Sequence, residues 1–287
     1  MRYRSFLRNG AIVIAASIIT LTACKRTKDT TPALTSTDDN GGYASDAAKL
    51  DRNSNDIISI SDAAGATGGS NLRTTATTIG SCATVTNDTV AIPHVLTIDF
   101  GTTDCTCLDL RTRRGKIIVT YSWHYKDSAS THTITTSNYY VDGYQVKVHK
   151  TVTNMGMNTS GQVWYNVTVN DSIVIGTDSV ISWAGTRTRT WFAGYGTPER
   201  NDDVYLIGGT TVLTRANGNV FTHTISSADP LKVALACRYI ESGTVTITST
   251  SFVIAGARTL NYGYGTGGCD ALAQLTVGSH TYVIYLH

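Results

Sequence analysis

The chain has 287 residues, with 23 Lys and Arg against 21 Asp and Glu. That length suffices to bury a substantial core, as one large domain or two modest ones. Charge this evenly balanced gives no electrostatic reason to expect nucleic acid as a partner.

The first segment has the parts of an export signal. Arg2, Arg4 and Arg8 form a positive start, and Ala11 to Thr22 form an apolar run. The run is too short to cross the ~30 Å hydrocarbon core as a helix, so it reads as a removed signal over residues 1–23. Its last residues, Leu21-Thr22-Ala23-Cys24, resemble the lipobox of bacterial lipoproteins. That resemblance implies a diacylglycerol on the Cys24 sulfur and cleavage just before it. It also implies that the membrane is a partner through the lipid anchor. Lys25, where an Asp would signal retention, implies transfer to the outer membrane, facing the periplasm or the cell surface. From Cys24 onward the balance becomes 20 basic against 21 acidic residues.

Residues 24–45 are polar, rich in Thr and aperiodic, which predicts a flexible tether. Over residues 46–79, apolar positions at Ala47, Leu50, Ile57, Ile58 and Ala64 predict one or two short helices capped by Asp46. Asn53 and Asn55 weaken the pattern, and "GATGGSNLRTTATT" returns to loop composition.

From residue 80 to 287 the texture is that of strands. Ile117, Val119, Tyr121 and Trp123 fall on one face of "KIIVTYSW". Val163, Tyr165, Val167 and Val169 alternate in "QVWYNVTV", whereas Lys150 interrupts the series Val146, Val148, Val152. Period two over such runs predicts half-buried antiparallel strands. Asp142-Gly143, Asn170-Asp171, Asn217-Gly218 and Gly278-Ser279 are hairpin-turn pairs. No alternation of strand and helix patterns argues for a parallel sheet.

"TIDFGTTDC" at 97–105 echoes "TLNYGYGTGGC" at 259–269, and each lies downstream of another cysteine. In an exported, oxidised chain this echo suggests disulfides Cys82–Cys105 and Cys237–Cys269. Cys107 is then left over, although Cys82 could choose it instead of Cys105. The Cys105-Thr-Cys107 spacing fits neither a zinc site nor a redox pair.

The β region also resembles a group of uncharacterised lipoproteins from Bacteroidota, through "TIDFGTTDCTCLDLRTRRGKIIVTY", "RTRTWFAGYGTP", "DDVYLIGG" and "NYGYGTGGCDALAQLTVGSHTYVIYL". The resemblance implies an envelope address and a β-rich domain, and brings no activity with it.

Catalytic templates find little hold. There is no Gly-x-Ser-x-Gly and no His-Glu-x-x-His. "GYGTGG" at 263–268 lacks the Lys and helix of a phosphate loop. The seven His are scattered singly. "ERNDD" at 199–203 reads as solvated loop charge rather than a calcium site. Carboxylates for glycoside hydrolysis would come from Asp99, Asp104 or that cluster. The most suggestive surface is "WAGTRTRTW", where a strand places Trp183, Arg187, Arg189 and Trp191 on one face. Such a face would stack on sugars or hold acidic groups, or be an internal set of cation–π pairs.

The expectation is a mainly β protein, an antiparallel up-and-down meander curling into a sandwich or partly open barrel, with a little N-terminal helix. Its expected role is a lipid-anchored, non-enzymatic envelope component without metal or cofactor, structural or binding a glycan or envelope protein. An envelope or glycan hydrolase and an apolar-ligand carrier are the alternatives. Converging buried carboxylates would favour the first of these, and an internal apolar concavity the second.

Overall fold

The computed structural model describes residues 42–66, 80–176, 179–197, 199–252, 256–264 and 268–286. The signal, the lipidation residue Cys24 and the tether up to residue 41 lie outside them.

One helix, α1 (Gly42–Ala66), replaces the expected short pieces. It starts four residues ahead of Asp46, and at 1.5 Å per residue it is ~37 Å long. Its Ala and Leu positions favour helix, and the weak centre is repaired by local bonds. Asn55 Nδ2 donates to the Asp51 carbonyl at 2.9 Å, and Ser61 Oγ to the Ile57 carbonyl at 2.8 Å. These back-bonds satisfy side chains that burial would otherwise orphan. Among the described residues no helix is long and apolar enough to cross a membrane.

The first half of the sheet comprises β1 (Thr84–Asp88), β2 (His94–Asp99), β3 (Cys105–Thr106), β4 (Thr112–Tyr121), β5 (Thr131–Val141), β6 (Tyr144–Lys147), β7 (His149–Met157) and β8 (Val163–Ile175). The second half comprises β9 (Ser179–Ala193), β10 (Val204–Thr214), β11 (Val220–Ile225), β12 (Leu231–Ala234), β13 (Thr244–Thr248), β14 (Arg258–Asn261), β15 (Leu272–Val277) and β16 (His280–Tyr285). All pairs are antiparallel, and the order along the sheet follows the order in the chain from β1 to β16. β3 and β12 add to the flanks of β4 and β10, and β6 and β7 lie in succession between β5 and β8. Among the described residues β1 and β16 do not pair, so the curled sheet stays open.

Period two is realised as drawn for β8, where Val163, Tyr165, Val167 and Val169 are all buried. In β4, Ile117, Val119 and Tyr121 are buried, but the strand ends there and Trp123 is 67 % exposed. Three of the four turn pairs close hairpins: Asp142-Gly143, Asn217-Gly218 and Gly278-Ser279. Asn170-Asp171 does not, because both residues lie inside β8. Gly115, with φ 84°, makes a bulge in β4, and a Cβ there would strike the Asn138 carbonyl. The bulge lets β4 bend.

Both disulfides form as the internal echo suggested, Cys82–Cys105 and Cys237–Cys269, closing separations of 23 and 32 residues. Cys107 is a buried free thiol, and burial pushes its pKa up.

α1 fills the inside of the curl. None of its described side chains is exposed, and it is approached by β2 and β4 on one flank and by β16 on the other. Tyr43 stacks on Phe221 of β11 at 5.4 Å. A helix surrounded on all sides is expected to be apolar all round. This one carries Asp46, Asp51, Asp56 and Asp62, and each meets an arginine of the sheet or its loops. The pairs are Asp46–Arg215 at 3.0 Å, Asp51–Arg187 at 3.1 Å, Asp56–Arg113 at 2.8 Å and Asp62–Arg200 at 2.9 Å.

Candidate functional site

The patch singled out on β9 faces this helix. Trp183, Arg187, Arg189 and Trp191 share one face, and all four are buried. Arg187 lies 5.2 Å over Trp183 and donates to Asp51 and, at 2.7 Å, to Thr211 Oγ1. Arg189 lies 3.6 Å over the Tyr205 ring, and Trp191 Nε1 donates to Asp203 Oδ1 at 3.0 Å. The expected ligand-stacking face is therefore an internal one. Alternation gave the shared face correctly, but both cations turn inward to α1, Arg187 to the Asp51 carboxylate and Arg189 to Ser59 Oγ at 3.4 Å.

The acidic loop 199–203 is divided in the same way. Arg200 turns in to Asp62, Asp203 accepts from Trp191, and Asp202 accepts from Thr197 Oγ1 at 2.9 Å. Among the described residues no group of three His, Cys, Asp or Glu is placed to hold a metal ion. "GYGTGG" falls partly outside the described residues. Of the histidines, His132 stacks on Tyr121 at 5.1 Å, and His223 is buried, with its pKa pushed down to about 3 by desolvation and then by Arg187.

A concavity opens elsewhere, where loops and strand ends from both halves of the sheet converge over the middle of α1. Two clefts, of about 490 and 410 Å³, lie there and share Arg52, Arg111, Arg238 and Tyr239 in their walls. α1 supplies Arg52, the residue before β4 supplies Arg111, and the loop after β12 supplies Arg238 and Tyr239.

The three arginines differ in how they are held. Arg111 is saturated, donating to Asp142 at 2.8 Å, to Asp56 at 3.1 Å and to Asn53 Oδ1. Arg238 is exposed and lies 5.7 Å over the Tyr239 ring. Arg52 is only 8 % exposed, yet among the described residues its Nε, Nη1 and Nη2 have no hydrogen-bond acceptor. Its guanidinium carbon lies 5.3 Å from the centre of the Tyr239 ring. Desolvation, then the charges of Arg111 and Arg238, push its pKa down to about 10, against weaker support from Asp56 and Asp142.

An unsatisfied buried charge is costly, and a guanidinium presents forked donors that match a carboxylate or phosphate. The arrangement can therefore hold an anion. Lys49, which donates to Tyr144 Oη at 3.4 Å, adds a further cation to the smaller cleft. Tyr285, 63 % exposed, adds an open aromatic face beside it.

A third cleft of about 390 Å³ lies near the C-terminal turn of α1, with Asp62, Asp203, Trp191 and Tyr125 in its wall. Burial pushes the Asp203 carboxyl up to about 6, with Arg200 and Trp191 opposing. The Tyr125 hydroxyl is buried without a hydrogen-bond partner among the described residues.

Sequence reasoning did not find Arg52. Its signal was faint: a single Arg inside "LDRNSND" reads as the solvated side of a helix, and only enclosure of that helix makes it unusual. No family model, curated protein or solved structure matches the chain.

Proposed function

We propose that this is a lipid-anchored protein of the cell envelope, held at the outer membrane through Cys24, that binds an anionic ligand without transforming it. The buried, unpaired Arg52 guanidinium between the two clefts carries this reading. The flanking tyrosines favour an acidic glycan, since a sugar ring stacks on an aromatic face while its carboxylate meets the fork of an arginine. The lipobox-like Leu21-Thr22-Ala23-Cys24 supports the address. The curl of the sheet is filled by a helix bearing ion pairs, which speaks against the apolar-ligand carrier.

Titrating the protein with uronic-acid oligosaccharides and with neutral oligosaccharides of the same length tests the reading. Affinity for the acidic set alone is expected, falling about tenfold or more in Arg52→Met, because a hydrogen bond to a charged group contributes ~1.5–3 kcal/mol. Equal affinity of the variant and the parent for the acidic set would end the proposal. Globomycin sensitivity of maturation tests the anchor separately.

The hydrolase alternative has one observation in its favour. Asp203, with its raised pKa, shares a cleft with Asp62, which is held by Arg200 and Tyr205. Release of reducing ends from envelope glycans, abolished by Asp203→Asn, would establish it in place of simple binding.

A further inference from the structure

Two residues that break the strand pattern meet inside the sheet. Lys150 stands on β7 between the inward-facing Val148 and Val152, and Asp171 on β8 between Val169 and Ile173. The register sets Lys150 opposite Val169, so Asp171 is its diagonal neighbour on the same face. Lys150 is fully buried, and Asp171 nearly so at 5 % exposure. Lys150 Nζ donates to Asp171 Oδ2, the one polar partner that the structure gives it among the described residues. The other carboxyl oxygen, Oδ1, accepts the backbone N–H of His149 at 3.3 Å, at the break between β6 and β7.

We propose that Lys150 and Asp171 are joined by an intramolecular amide bond that the folded protein forms by itself. All the atoms that react lie within the pair. The ammonium passes one proton to the carboxylate along their hydrogen bond, giving a neutral amine and a neutral carboxylic acid, the forms that burial favours. Desolvation already pushes the Lys150 pKa down. The amine lone pair then attacks Cγ, and charge developing on Oδ1 is met by the His149 N–H, an oxyanion donor already in place. The C–N bond forms as the C–Oδ2 bond breaks, and Oδ2 leaves as water with a proton from the nitrogen. No oxidant, cofactor or second molecule is needed. Fixed neighbours on a rigid sheet supply the proximity that such a condensation lacks in water. The product replaces two desolvated charges with an uncharged amide, and it staples β7 to β8 beside the point where β6 gives way to β7.

Trypsin reads this bond directly. Beyond Lys147 the next two basic residues are Lys150 and Arg187, so a blocked Lys150 leaves the single peptide 148–187. The full-length protein is denatured, reduced, alkylated and digested, and its peptides are weighed. The expected result is peptide 148–187, uncut after Lys150 and lighter by one water than its sequence, which chymotrypsin then opens into two chains joined through Lys150 and Asp171. Lys150→Arg, which keeps the cation, and Asp171→Ala should both abolish the mass deficit. Complete cleavage after Lys150 in the parent protein would overturn the proposal. So would a deficit found on a peptide already cleaved there, since that is a succinimide at Asp171 and not a crosslink.

Discussion

Arg187 of β9 and Asp51 of α1, 136 residues apart in the chain, meet at 3.1 Å with both side chains almost wholly buried. The contact joins the outer shell of the molecule to the helix it encloses. Burial pulls on the two partners in opposite senses, raising the Asp51 pKa and lowering that of Arg187, while each charge opposes the shift of the other. Asp51→Asn leaves the guanidinium enclosed with Thr211 as its neutral acceptor. Breaking a buried pair from one side costs ~3–5 kcal/mol. Urea unfolding should show a loss of that order for Asp51→Asn, and the double change Asp51→Leu with Arg187→Met should recover most of it. A single variant as stable as the parent would mean that the pair does not hold the helix.

The same contact shows what could be read beforehand and what could not. Period two identified the inner faces of β4 and β8 through their runs of alternating apolar residues, Ile117 to Tyr121 and Val163 to Val169. Asp-Gly and Asn-Gly pairs gave turns because positive φ is a local property, and Asp142 has φ 51°. Asn170-Asp171 sits inside β8, where pairing with Ala184 and Trp183 of β9 overrides its turn preference. Its Asp171 answers Lys150, the other break in the alternation. Lys150 alone reads as an interruption and Asp171 as part of a turn, and only the register makes them one feature. The arginines on β9 were legible as a face. Their direction was not, because it depends on Asp51 and Asp62 of α1, more than a hundred residues earlier. Enclosure of α1 is likewise a tertiary fact, and with it goes the meaning of Arg52.

The two disulfides tie segments that regular pairing leaves weakly held: the turn before β1 to β3, and the loop after β12 to the approach to β15. Loops of 23 and 32 residues correspond to roughly 3–4 kcal/mol each in the chain-entropy account. Cys82→Ser with Cys105→Ser should lower stability by about that amount, and reducing agent should then lower it again through the remaining bond. Cys107 is buried beside the first pair, so the single change Cys105→Ser also asks whether Cys82 moves to it. A Cys82–Cys107 bond seen by peptide mapping in that variant would show that this corner adjusts.

Two buried groups give opposite dependences of stability on pH. His223 is pushed from 6.5 down to about 3, so between those values the unfolded chain binds more protons and stability rises with pH. Asp203 is pushed from 3.8 up to about 6, so between those values the folded chain binds more protons and stability falls as pH rises. From about pH 4 to 6 the two slopes cancel. His223→Gln should therefore expose a decline in stability from pH 4 to 6, and Asp203→Asn a rise over the same range. Denaturant midpoints measured at half-unit steps would show this. Parallel curves for parent and variants would mean that neither group titrates as its burial implies.

Arg52 gives the sharpest conflict between holding the fold together and binding a ligand. Its guanidinium gains little from the described residues: no hydrogen bond, a ring at 5.3 Å, and two other arginines close enough to repel it. An orphaned buried polar group costs ~1–3 kcal/mol, and more when charged. Arg52→Met keeps the aliphatic part of the side chain and removes that cost. The ligand-free variant should therefore be more stable than the parent, by roughly 2–4 °C in Tm for each kcal/mol regained in a domain this large. An acidic oligosaccharide should stabilise the parent in proportion to its occupancy and leave the variant where it was. With enough ligand the order of the two melting temperatures should reverse. A variant that is less stable than the parent when ligand-free would show that Arg52 is a structural cation already satisfied by Asp56 and Asp142, and the cleft would lose its claim to be a binding site.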